Sequence, residues 1–153
     1  GAKTNNIGAG WLAEAKPRPI SPVGGAELLD AYIVNREGIT PASSLMVHLW
    51  WLRGDTPRPD LRVSVRLMDG EGSFYKDDGT FYCAVDQPPG NWNLLEPRWA
   101  PGKPVLSRIW MWAPQEMPVG PASVVMVVYD VGGSFDPVTV PLIEFEIEPK
   151  AAE

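Results

Sequence analysis

The stretch Ile143-Glu144-Phe145-Glu146-Ile147-Glu148 alternates an apolar with an acidic residue at every step. Successive side chains of a β-strand point to opposite faces, so it reads as a strand with one face in a core and the other solvated and acidic. The same period of two recurs upstream. In residues 44–53, Leu45, Val47, Leu49 and Trp51 share one face and Met46, His48, Trp50 and Leu52 the other, which makes this strand apolar on both sides. Residues 61–69 set Leu61, Val63, Val65 and Leu67 against Arg62, Ser64, Arg66 and Met68, the pattern of a half-exposed strand. Residues 105–112 set Val105, Ser107, Ile109 and Met111 opposite Leu106, Arg108, Trp110 and Trp112, and residues 123–130 form a valine-rich strand. Residues 26–35 mix the helix-favouring Ala26-Glu27-Leu28-Leu29-Asp30 with the strand-favouring Ala31-Tyr32-Ile33-Val34 and are read as a strand.

Turn chemistry separates these runs. Asp69-Gly70-Glu71-Gly72 turns the chain into residues 73–76, and Asp78-Gly79 suits the positive-φ positions of a second hairpin before residues 80–85. Seventeen prolines and fifteen glycines, spread along the chain, interrupt every run that could become a long helix. The expected fold is all-β: an antiparallel β-sandwich, immunoglobulin-like or jelly-roll-like, of seven to eight strands. Residues 1–24 are read as an extended lead-in linker, 25–149 as the sandwich and 150–153 as a tail. Residues 86–102, with Trp92 and Trp99, form a long loop of the kind that serves function or packing.

A hydrophobic fraction of 44% with seven tryptophans supplies a core for one domain. The net charge of −6 disfavours nucleic acid and anionic membrane surfaces, because phosphate binding needs clustered Lys and Arg. No apolar run approaches the roughly 18 residues of a membrane-spanning helix. Cys83 is the only cysteine, which leaves neither an internal disulfide nor a cysteine-based zinc site. A start at Gly1 in place of Met suits a chain trimmed of a leader or anchor, so export is permitted.

Residues 26–141 resemble the β-sandwich accessory domain at the C-terminal end of bacterial membrane glycosyltransferases of the dolichyl-phosphate-mannose-mannosyltransferase type. The order of motifs carries the resemblance. Leu45-Met46-Val47-His48-Leu49-Trp50-Trp51 stands for the family's leucine strand ending in tryptophan, and residues 63–72 for its next strand and Gly-containing turn. Asp86-Gln87-Pro88-Pro89 and Arg98-Trp99-Ala100-Pro101-Gly102 match the family's loop, and Pro118-Val119-Gly120-Pro121 leads into a strand ending in Tyr129-Asp130. Ala122 and Ser123 replace a usual Tyr and basic residue, and Asp77-Asp78-Gly79 looks like an insertion. The resemblance implies an extracytoplasmic module of the cell envelope and no catalytic residue.

The chemistry-bearing residues are few. His48, the sole histidine, would have to serve any histidine-dependent hydrolase, and it would form a dyad with Cys83 only if their strands were neighbours. More simply, His48 lies on a strand face and Cys83 is a small buried hydrophobe. Asp69, Glu71, Asp77 and Asp78 cluster at two turns and form a weak calcium candidate, although Asp-Gly turns need no metal to explain them. No cofactor is expected.

The informative feature is the second apolar face. Met46, Trp50 and Leu52, Leu106, Trp110 and Trp112, and Val125, Val127 and Tyr129 all point away from the main core, where a sandwich ordinarily shows polar residues. Three readings stand: the linker or the 86–102 loop covers this face, a protein partner or second copy docks on it, or its tryptophans stack on sugar rings. The candidate binding residues are Trp50, Trp92, Leu106, Trp110, Trp112 and Tyr129, with Trp92 exposed between two asparagines and Trp99 buried as an anchor.

Overall fold

The structure is a computed structural model and describes residues 16–151. Among the described residues eight strands appear in chain order: β1 Arg18–Pro19, β2 Glu27–Ile33, β3 Ser43–Leu52, β4 Leu61–Asp69, β5 Ala84–Gln87, β6 Val105–Ala113, β7 Gly120–Asp130 and β8 Val138–Ile147. They form two four-stranded sheets, ordered β1-β2-β3-β6 and β5-β4-β7-β8, in which every neighbouring pair is antiparallel. This is the β-sandwich that the period-two strands predict.

Alternation decides which residues meet between the sheets. Leu45, Val47, Leu49 and Trp51 of β3 and Leu61, Val63, Val65 and Leu67 of β4 are buried to 1% exposure or less, and Val124, Met126 and Val128 of β7 pack with them. In β8, Ile143, Phe145 and Ile147 face this core while Glu144 and Glu146 face water. Two irregularities fall where the sheets meet. The register slips between Leu28 and Asp30 in β2, and on the β8 side of the Val124/Val125 step, leaving Leu29 and Leu142 as extra residues. Both line the shallow cleft between β2 and β8, where a bulge in each strand lies at the seam between the two sheets.

The structure departs from the sequence reading in three places. The lead-in of residues 1–24 joins the sandwich before its end, because Arg18 and Pro19 pair with Leu28 and Glu27 and Ile20 is buried; residues 1–15 lie outside the described residues. The hairpin expected over residues 73–85 closes through Tyr82 N–H to Phe74 O and Lys76 N–H to Thr80 O, around the bridge between Tyr75 and Phe81, but only residues 84–87 form a strand. Its turns bind themselves: Asp69 accepts the N–H groups of Glu71 and Ser73, and Asp78 accepts both the N–H and the hydroxyl of Thr80. Finally, β8 starts at Val138 rather than Ile143, and Pro141, which has no N–H to give, is accommodated beside the register shift of this edge strand.

Candidate functional site

The outer surface of the β1-β2-β3-β6 sheet is aromatic. In the β3–β6 register Ser44 lies opposite Trp112, Met46 opposite Trp110, His48 opposite Arg108 and Trp50 opposite Leu106. The β2–β3 register adds Tyr32 beside His48 and Asp30 beside Trp50. Trp110 is 67% exposed and Trp112 51%, and Met46, Trp50, Leu52 and Leu106 are half-buried around them.

A short hydrogen-bonded chain fixes the centre of this face. The Trp50 indole N–H donates to the Tyr32 hydroxyl at 3.1 Å, and that hydroxyl lies 3.3 Å from Nδ1 of His48. A hydroxyl that accepts from an indole still has its own proton to give. That proton can go to Nδ1 when the ring proton sits on Nε2. Burial, and then the neighbouring charge of Arg108, hold the imidazole below its ordinary value, which agrees with a neutral ring at neutral pH. Arg108 is thus a cation set among neutral aromatic side chains.

One element of the expected face belongs elsewhere. Val125, Val127 and Tyr129 are on β7, in the opposite sheet, where their neighbours are Arg66, Ser64 and Arg62 of β4. Val125 is 1% and Val127 9% exposed, so these valines contribute nothing to an apolar surface. Alternation places residues on the outside of a sheet without telling which sheet, so the sequence alone does not separate the three strands into two faces.

The 86–102 loop leaves Trp110 and Trp112 exposed. Trp99 is buried as expected, its indole N–H donating to Leu94 O at 2.8 Å and its ring packed so closely on Gly90 that a Cβ there would lie 2.6 Å from Cζ2. Gly90 is in turn tied to the core: its carbonyl accepts from Ser107 Oγ at 2.6 Å, and Ser107 Oγ accepts from the Trp51 indole at 2.9 Å. Trp92, 61% exposed, lies with its ring 4.9 Å from the Arg62 guanidinium and so belongs to the β4 side. The other expected cover, the lead-in, falls for residues 1–15 outside the described residues.

Glu96 is the residue that sequence reasoning missed. It sits in the 3-10 turn Glu96–Arg98 at 2% exposure, where Oε2 accepts the Gly54 N–H and Oε1 the Arg58 N–H, each at 2.9 Å. Burial pushes its carboxyl up, against the opposing pull of these N–H groups, the Ala26 N–H and the Arg53 charge. The signal was faint: an acid between Leu95 and Trp99, preceded far upstream by Gly25 and Gly54. Gly54 is required because a Cβ there would lie 2.0 Å from the Gly25 carbonyl oxygen.

The remaining candidates are structural in their surroundings. Asp69 caps its own turn and receives the Tyr82 hydroxyl at 2.9 Å; burial pushes it up, but the Ser73 N–H, the Tyr82 hydroxyl and the Glu71 and Gly72 N–H groups outweigh that and hold it below the usual carboxylate range. Among the described residues no group of three or more His, Cys, Asp or Glu side chains is placed to share a metal ion, so Asp69, Glu71, Asp77 and Asp78 do not assemble. Cys83 lies against the Trp112 backbone, whereas His48 faces Arg108 four residues back along β6, about 13 Å away by strand rise. They form no dyad.

Fold and face together define a β-sandwich domain with an exposed aromatic sheet surface. No family model matches the chain, and no curated protein matches it. A solved structure described as the C-terminal domain of wzt is similar to it, at a TM-score of 0.46 and 11% identity over 89% of this chain and 84% of that one. A likeness so remote says nothing of what this sandwich binds. Among the described residues no helix is long and apolar enough to cross a membrane.

Proposed function

We propose that the chain is a non-catalytic, extracytoplasmic module of the cell envelope that docks on a protein partner, or on a second copy, through the aromatic face of β2, β3 and β6. The envelope setting rests on the resemblance of the motif order to that of the glycosyltransferase accessory domains. The docking surface rests on one observation: Trp110 and Trp112, more than half exposed, stand together on an edge strand and border Met46, Trp50 and Leu106.

Magnitudes support a surface made for contact. A tryptophan carries about 150–250 Å² of side chain, so covering the exposed parts of two at about 25 cal/mol per Å² contributes roughly 5 kcal/mol before association costs. Those costs begin at about 4 kcal/mol, so the pair would anchor an interface only together with its half-buried neighbours. Arg108, with no apolar role of its own, is suited to meet a carboxylate of the partner at the centre of the contact.

Light scattering over a concentration series tests the self-association form. Wild type is expected to associate reversibly and Trp110→Ser/Trp112→Ser to remain monomeric with an unchanged melting temperature, because neither side chain supports the core. A wild type that is strictly monomeric at its solubility limit would remove that form.

The glycan reading, with Trp50, Trp92, Trp110 and Trp112 as one platform, is weakened by the position of Trp92 on the opposite side of the sandwich.

A further inference from the structure

The outer face of the second sheet carries a different constellation. Arg62, Ser64 and Arg66 point outward along β4, with Asp86 of β5 opposite Ser64 and Tyr129 of β7 opposite Arg62. Arg66 is held between two rings, its guanidinium carbon 4.6 Å from the Phe81 centroid and 5.3 Å from that of Phe74, and its Nε donates to Ser64 Oγ at 3.0 Å. Arg62 lies 4.9 Å from the Trp92 ring while its Nη1 donates to the carbonyls of Pro59 and Leu61. The Tyr129 hydroxyl donates to Asp86 at 3.1 Å.

Stacking fixes a guanidinium without using its in-plane donors. Nη1 and Nη2 of Arg66 have no hydrogen-bond partner among the described residues, and Asp86 binds the Tyr129 hydroxyl through Oδ2, which leaves Oδ1 as a further acceptor. The result is a pair of oriented cations on a chain of net charge −6, about 13 Å apart by strand rise, each next to an aromatic ring. A planar guanidinium fork matches a carboxylate in two hydrogen bonds, and exposed aromatic rings offer flat surfaces to the C–H faces of sugars.

We propose that this face binds a carboxylate-bearing sugar chain, with Arg66 and Arg62 pairing uronate carboxylates, Trp92 stacking on a ring and Asp86 accepting a sugar hydroxyl. The site is separate from the docking face of β3 and β6 and does not depend on it.

Titration with oligogalacturonate, followed by tryptophan fluorescence and calorimetry, tests it. Saturable binding is expected for wild type and for Trp110→Ser/Trp112→Ser, with a loss of at least about tenfold in Arg66→Gln and in Trp92→Ala. Arg66→Lys is expected to lose nearly as much, because an ammonium keeps the charge but not the fork. Malto-oligosaccharide and inorganic phosphate serve as comparison probes and are expected to bind at least about tenfold more weakly. Circular dichroism melting confirms that each variant is folded, and Trp92→Ala, altered at an exposed position, keeps the test decisive if Arg66→Gln unfolds. Failure of oligogalacturonate to saturate, equal binding of the neutral chain, equal binding of phosphate alone, or loss of binding in the Trp110/Trp112 variant instead would each overturn the proposal.

Discussion

Replacing Glu96 with Ala is expected to destabilise the domain by about 3–4 kcal/mol, a large share of the roughly 5–15 kcal/mol typical of a domain. The reason is what stays behind. The N–H groups of Gly54 and Arg58 would lose their acceptor where the loop after β3 meets the 3-10 turn, and each stranded buried donor costs about 1–3 kcal/mol. Glu96→Gln keeps the shape and one acceptor oxygen, so its loss should be smaller. The urea midpoint measures both.

The pH dependence has a definite sign. Burial raises the Glu96 carboxyl above its unfolded value of 4.5, so folding favours the protonated form. Its contribution is fully present below that value and is lost as pH rises through the raised folded value. The gap between wild type and Glu96→Ala should therefore narrow with rising pH across this window.

Trp99→Ala is expected to cost about 3–5 kcal/mol, in the range for removing a buried tryptophan. The ring plugs the base of the 86–102 loop, packs closely against Gly90 and bonds to Leu94, so its loss should loosen residues 90–94 along with the core beneath. Hydrogen exchange should show faster opening of that stretch, beyond the shift in the urea midpoint. Glu96 and Trp99 bracket one turn, so the double variant should cost less than the sum of the two single changes.

Residue by residue, legibility followed the reach of the interaction. The inner faces of β3, β4 and β8 were readable because alternation is local, and so were the burial of Trp99 and the exposure of Trp92, which follow from turn and loop chemistry. Which outward face a strand shares depends on sheet order. Nothing between Leu106 and Tyr129 states that β6 pairs with β3 and β7 with β4. For the same reason the expected candidates divide between the two sheets: Trp50, Leu106, Trp110 and Trp112 come together, while Tyr129 stands with Asp86 and the arginines. Tyr32, which links Trp50 to His48, was placed on a strand but given no partner, because its partners lie 16 and 18 residues away. Glu96 is invisible in the sequence because its role is defined by the backbone N–H groups of Ala26, Gly54 and Arg58, all distant along the chain.

The central claim is that the aromatic face of β2, β3 and β6 is the surface through which this module docks. Oxidative footprinting of the tryptophans, read by mass spectrometry in dilute solution and at high concentration, tests it most directly. The account predicts that Trp110 and Trp112 are reactive when dilute and protected together as association proceeds, while Trp92 stays reactive throughout. Unchanged reactivity of Trp110 and Trp112 at every concentration would contradict it, as would protection already complete in dilute solution and abolished by deleting residues 1–15.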